Sequence, residues 1–192
     1  MNEEKNITST EKPLESFWKE ILKFALIAVI IIVPFRLYIA QPFIVSGASM
    51  DPTFETGQYL IVDQLTYHFE TPQRGSVLIF KYPKDPSKYY IKRIIGLPGE
   101  TLEINGEIVT IKNTDNPDGF VLSEPYVVYK KQNNTNVTLR DDEYFVMGDN
   151  RIGSSDSRYW GPVAKNFIIG RPVLRLLPVT LVSLFPGDYS EK

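Results

Sequence analysis

The sequence predicts a mainly β, antiparallel domain preceded by a single membrane-spanning helix. Three observations carry that expectation. A charge-free apolar stretch, FALIAVIIIVPF, runs from Phe24 to Phe35. Beyond residue 40 the chain changes to short runs rich in Val, Ile, Tyr and Phe, divided by turn residues. Fourteen prolines spread through 192 residues oppose long helices and suit turns and strand edges.

Residues 1–23 are polar and of mixed sign and read as a flexible N-terminal arm. The span is placed at residues 24–40, because the apolar character resumes as LYIA after Arg36, giving about 17 residues, the lower limit for crossing a bilayer. Arg36 can reach the interface with its head group, which costs far less than burial at mid-bilayer. Lys5, Lys12, Lys19 and Lys23 precede the span, and beyond Arg36 the next basic residue for a long way is Arg74. The asymmetry predicts a single-pass protein of the cell membrane, with a cytoplasmic N-terminus and residues 41–192 outside the cytoplasm. Two alternatives compete. A buried core helix would need protein on every side, which so short a chain can barely supply. A cleavable leader would end after Ser46-Gly47-Ala48, and N-terminal sequencing would detect it.

The predicted strands are QYLIVDQLTY, SVLIFKYP, YYIKRIIG, TLEI, EIVTIK, VLSEPYVVY and EYFVMG. Asn105-Gly106 between TLEI and EIVTIK predicts a two-residue hairpin turn, since those residues best tolerate positive φ. Residues 112–120 and 130–136 read as exposed loops. The C-terminal LLPVTLVSLFP is too short to span and reads as a core strand or a membrane-resting segment.

Composition narrows the chemistry. Twenty-one basic against 23 acidic residues give a net charge of −2, which excludes the electrostatic footprint of a nucleic-acid binder. With no Cys there is no disulfide, thiolate metal site or Cys nucleophile, and with His68 as the single His a His-based metal cluster is implausible. No metal or other cofactor is expected.

VSGASMDPTF, residues 45–54, places small residues around Ser49 a few positions after the apolar run. A serine becomes a nucleophile only with a base. His68 with Asp63, Asp149 or Asp156 could form a Ser/His/Asp assembly, although no spacing specifies one. The alternative is Lys92 in YYIKRIIG, the most apolar surroundings of any lysine outside the span region, where burial would lower its pKa. By strand alternation Lys92 shares a face with Tyr90 and Ile94, and Arg93 shares the other with Ile91 and Ile95. Pattern alone leaves open which face is buried, and a lysine there could equally be an edge-strand gatekeeper.

Three segments in order, SGASMDPTF, YYIKRIIGLPGE and MGDNRIGSSDSRYWG behind an N-terminal anchor, closely resemble the type I signal peptidases of bacteria. The third segment carries the pattern GDNRxxSxDSRxxG, and the resemblance spans about residues 41–178. It implies a β fold related to self-cleaving repressors and an endopeptidase that removes signal peptides from exported pre-proteins at the bilayer, using a Ser/Lys dyad. It also implies that Ser49 is the nucleophile, that Lys92 is the general base, and that the Ser49 N–H serves the oxyanion. Ser154 would hydrogen-bond and orient Lys92, while Asp156 and Arg158 would pair to hold their loop. Phe43, Val45 and Ile91 would wall shallow pockets that admit small side chains, in effect reading Ala-x-Ala. The chain departs from the family at Gly47, where some relatives carry a serine that assists the oxyanion, and at Gly75-Ser76 and Glu100. A DNA-binding repressor would need a helix-turn-helix where this chain has its apolar run. A membrane-tethered β module without activity would leave the three ordered motifs as coincidence.

Overall fold

A computed structural model describes residues 14–34 and 40–189. The chain forms two compact units, one carrying the long helix and the other carrying every strand. In the first unit α1 runs Leu14–Pro34. It begins inside the segment expected to be a flexible arm, because LESFWKEILKF contains few helix breakers and pairs apolar residues at helical spacing. Its uncharged part, residues 24–34, is only about 16 Å long at 1.5 Å per residue. Among the described residues no helix is long and apolar enough to cross a membrane. Residues 35–39 of the expected span, with Arg36, lie outside the described residues.

The second unit is mainly β and antiparallel throughout. The larger sheet is built from β1 (Ala40–Ile44), β2 (Tyr59–Asp63), β3 (Val77–Tyr82), β4 (Asp85–Gly96), β9 (Glu143–Met147), β10 (Val163–Ala164), β11 (Ile168–Leu177) and β12 (Ser183–Leu184). Its order is β1-β2-β11-β3-β4-β9-β10, with β12 on β11. The smaller sheet, in the order β7-β6-β5-β8, consists of β5 (Thr101–Gly106), β6 (Ile108–Lys112), β7 (Phe120–Val121) and β8 (Asn133–Thr138).

The runs expected to be strands at 76–83, 89–96, 101–104, 107–112 and 143–148 overlap β3 to β6 and β9, with β4 starting earlier, at Asp85, and β5 extending to Gly106. Three expectations are corrected. The hairpin turn falls at Gly106-Glu107, one residue later than predicted, because Asn105 pairs with Ile108 and Gly106 takes φ +63° at the first central position. Of residues 130–136, expected to be loop, 133–136 belong to β8 (Asn133–Thr138), since their backbone pairs with β5 while Asn134 and Asn136 face outward. VLSEPYVVY is strand only at its first residue, and the short helices α2 (Thr66–Phe69) and α3 (Ser157–Trp160) interrupt the strand pattern. LLPVTLVSLFP divides between the end of β11, a 3₁₀ turn at Val179–Leu181 and β12, with Leu177, Val179, Val182 and Leu184 exposed.

The core explains the apolar character of β9 and of the end of β4: β9 and residues 92–96 of β4 are buried on both faces. Tyr144 and Val146 pack with Leu78, Phe80, Ile94 and Val163 on one side. Phe145 and Met147 pack with Ile95, Leu102, Ile104 and Ile111 on the other, joining the two sheets. Gly96 permits that join, since a Cβ there would lie 2.3 Å from Leu102 Cδ1. A third cluster, Val45, Met50, Phe54, Leu60 and Val77, with Ile91 against it, lies beneath the Ser49 loop.

Candidate active site

β1 leads directly into the turn that carries Ser49, and β4 supplies Lys92 from the centre of the same sheet. Lys92 Nζ lies 2.6 Å from Ser49 Oγ and donates to the Ile91 carbonyl at 2.9 Å. The lysine is 4% exposed, and burial lowers its pKa from 10.5 to about 8, against the opposing pull of the Asp156 and Asp149 carboxylates. An aromatic wall dries the amine. The Tyr90 ring lies 5.4 Å from Nζ, Tyr82 stacks on Tyr90 at 4.6 Å, and Trp160 meets Tyr82 edge-on at 5.6 Å. Both faces of β4 are thus buried around the Lys92-Arg93 pair, which the strand pattern left open and which rules out the gatekeeper reading.

The third motif holds the first. Asn150 N donates to Ser49 O at 3.1 Å, Asn150 Nδ2 to Ala48 O at 3.0 Å, and Thr53 Oγ1 to Asp149 Oδ2 at 2.6 Å. Asp149 also receives both arms of Arg93, at 2.8 and 2.6 Å, and both side chains are fully buried. Arg93 further donates to the Gly75 and Gly187 carbonyls and lies 4.0 Å from the Tyr126 ring centroid. Sequence reasoning missed this anchoring role of Arg93, Asp149, Thr53 and Asn150. A guanidinium between Ile91 and Ile94 in a strand buried on both sides was the signal that it needed a buried carboxylate.

Asp156 and Arg158 form a buried, two-pronged ion pair, with Nε–Oδ1 and Nη2–Oδ2 both 2.8 Å. Asp156 also accepts from Gly148 N at 3.1 Å and caps α3 by accepting from Arg158 N. Ser154 differs from the expectation placed on it. Its Oγ is buried without a hydrogen-bond partner and receives nothing from Lys92, whose bonds go to Ser49 and Ile91. It sits instead against Gly148, where an added Cβ would lie 2.4 Å from Ser154 Oγ and 2.2 Å from Ser49 O. Gly148→Ala should therefore displace the Ser49 turn and, through the changed Ser49–Lys92 approach, lower turnover of a peptide on the order of 10²-fold, as expected for a displacement near 1 Å.

His68 is exposed, in α2, with Nδ1 2.9 Å from Gln64 O, and does not line the Ser49 groove. The departure at Gly47 has a backbone cause. Its φ is +97°, a conformation that favours glycine, and its N–H and carbonyl both engage Thr56 Oγ1. Glu100 takes Arg74, Asn113 and the Leu97 N–H as partners, apart from the Ser49–Lys92 contact. Among the described residues no cluster of three or more His, Asp or Glu is arranged to hold a metal.

An open groove of about 490 Å³ passes over Ser49 and Lys92. Phe43, Val45, Leu60, Ile79 and Ile91 supply apolar lining, Tyr89 a rim, and Gly153 and Ser155 the far side. Phe43 and Tyr89 meet across it with ring centroids 5.4 Å apart. The groove is flanked by two unpaired strand edges. Among the described residues β1 pairs only with β2, and β4 pairs with β9 only from Arg93 onward, leaving its Tyr89–Ile91 stretch open on that side. A hydroxyl beside a dried amine, at the foot of two free edges, suits acyl transfer from an extended peptide.

Comparison with known proteins agrees with this chemistry. The pattern of the family described as "Signal peptidase, peptidase S26" matches residues 18–177. A probable signal peptidase I-1 of Synechocystis is 36% identical over 179 residues, covering 88% of this chain and 88% of its own length. A probable signal peptidase I-2 of the same organism is 33% identical over 184 residues, covering 93% and 82%. The solved signal peptidase I of Enterococcus faecalis V583 shares 32% identity over 53% of this chain and 97% of that one, with a TM-score of 0.45. Because the match takes in the Ser49 turn, the Lys92 strand and the 148–161 loop together, this chain belongs to the signal peptidase family, peptidase S26, as a serine endopeptidase of the signal peptidase I type.

Proposed function

We propose that this protein cleaves signal peptides from pre-proteins after a small residue, with Ser49 as nucleophile and Lys92 as general base. The observation that carries the reading is the 2.6 Å approach of a buried amine, with its pKa lowered to about 8, to a serine hydroxyl on the groove floor. Neutral Nζ takes the Ser49 proton as the Oγ–C bond forms and the carbonyl π pair moves onto oxygen. The resulting ammonium gives that proton to the leaving amine as the C–N bond breaks, leaving an ester on Ser49. Nζ then takes a proton from water as its oxygen attacks the ester, and returns it to Ser49 Oγ as the acid departs. Asp156 and Arg158 hold the loop behind the lysine rather than entering these steps.

The substrate lies extended between β1 and the Tyr89–Ile91 edge, adding a strand to each. Phe43, Val45 and Ile91 then limit the side chains that fit, which supports an Ala-x-Ala preference. Residues 24–40 act as a single lipid anchor with a cytoplasmic N-terminus, and the exposed apolar residues of α1, Phe24 to Val33, support this. Tethering to the bilayer raises the effective concentration of Ser49 near sites presented at its outer surface.

The pH profile tests the assignment of the base. A lysine must be neutral to accept a proton, so kcat/KM should rise with pH to a plateau through a midpoint of about 8. A midpoint far from 8 would show that Lys92 is not the base. Substituting Leu for either small residue of an Ala-x-Ala peptide should abolish cleavage, and equal turnover of the Leu peptides would refute the pocket assignment.

A further inference from the structure

A peptidase that attacks a carbonyl must stabilise the negative oxygen it creates, and the left-handed backbone of Gly47 leaves that position without a side-chain donor. The remaining donor is the Ser49 N–H. It has no hydrogen-bond partner among the described residues. Its aim depends on the plane of the Ala48–Ser49 peptide, because in a trans peptide the carbonyl and the following N–H point in opposite directions.

That plane is held by one side chain together with a backbone turn, in which Asp51 N donates to Ala48 O at 3.3 Å. Asn150 Nδ2 donates to Ala48 O at 3.0 Å, while Oδ1 accepts from Gly153 N at 2.9 Å. The two ends of the amide thus have different partners, so its orientation is determined by both. The backbone N–H of Asn150 holds the next carbonyl, Ser49 O, at 3.1 Å. Asn150 therefore engages the peptide groups on both sides of the Ser49 α-carbon, and its Nδ2 makes the shorter of the two hydrogen bonds to the Ala48 carbonyl. Gly153 closes the arrangement. It lines the groove, and a Cβ there would lie 2.9 Å from Asn150 Nδ2.

We propose that Asn150 is a positioning residue that helps to turn the Ser49 N–H, a donor that residue 47 does not supplement with a side chain, toward the developing oxyanion. The proposal rests on Ser49 being the nucleophile. As the Oγ–C bond forms and the π pair moves to oxygen, the oriented N–H donates to that oxygen, an interaction absent from the bound ground state. Asn150 acts through the peptide plane and makes no hydrogen bond to Lys92.

The test is Asn150→Ala in the full chain, assayed on an Ala-x-Ala peptide. Removal of a single oxyanion donor typically costs about 10²-fold in turnover, and kcat should fall by up to that factor with KM unchanged. The pH midpoint should stay near 8, since no charge is added beside Lys92. Affinity for a peptide aldehyde, whose adduct with Ser49 carries the oxyanion, should fall in parallel with kcat, while affinity for the cleaved signal-peptide product should not change. Unchanged kcat, or a loss residing only in KM, would overturn the proposal. If the Ala variant does not fold, Asn150→Ser is read for the same split, and failure of both to fold would make Asn150 a stability residue and also overturn it. Ser49→Ala and Lys92→Ala serve as references. Activity in either sinks the dyad reading, whereas dead reference variants beside a wild-type Asn150→Ala sink this inference alone.

Discussion

Lys92→Met should abolish cleavage of a pre-protein while making the folded domain more stable at neutral pH. On the proposed mechanism, activity should fall on the order of 10⁴-fold or more, as it should for Ser49→Ala, because two groups acting as a unit lose the whole step when either is deleted. The stability gain comes from burial. The folded-state pKa of Lys92, about 8, lies below the ordinary 10.5, so between those values the unfolded chain binds more protons than the folded one. Stability therefore rises with pH across that window, and below pH 8 the full penalty of holding the lysine in a dry site is present. The difference corresponds to about 3 kcal/mol at 1.36 kcal/mol per pKa unit. Methionine carries no such penalty, so its advantage in a urea titration should approach that size at pH 7 and shrink as pH climbs from 8 to 10.5. Residual turnover in Lys92→Met, or a stability difference independent of pH, would show that the amine is not the dried base described here. His68→Ala should leave both quantities unchanged.

Arg93→Met should have the opposite character, with a folding defect larger than any direct effect on chemistry. It leaves Asp149 with no exposure and Thr53 as its remaining side-chain partner, and breaking a buried pair in this way costs about 3–5 kcal/mol. Domains of this size are stable by about 5–15 kcal/mol, so the urea midpoint should fall sharply and the variant should accumulate poorly. The double substitution Arg93→Met with Asp149→Asn removes both charges and should recover part of the loss. No recovery would mean that the Gly75 and Gly187 carbonyls, rather than Asp149, are what Arg93 serves. The prediction concerns function too, because Asp149 holds Thr53 on the loop that carries Ser49.

Much of the site was readable from residue type and local context. Lys92 stood out because strongly apolar neighbours and an ionisable amine conflict, and such conflict in a strand marks either a pair or a perturbed pKa. Ser49 was legible only through the motif around it, since a hydroxyl among small residues is chemically ordinary until a base is brought to it. Asn150 was unreadable as an individual, although its motif was conspicuous, because its role lies in two carbonyls a hundred residues away. The same holds for β8. NNTNVT has the composition of a loop, and it becomes a strand because β5 offers it a complete ladder of partners.

Alternation and turn chemistry are local properties, so the sequence by itself determined a mainly β domain, most of its central strands, and the lysine and serine worth watching. Tertiary structure decided everything that depends on long-range approach. It set the burial of both faces of β4 at residues 92–96, the 2.6 Å contact across 43 residues, the grip of the 148–161 loop on the Ser49 turn, and the exposure of His68. The physical reason is that desolvation and hydrogen-bond geometry are functions of what surrounds a group in space, and chain neighbours supply only a small part of those surroundings.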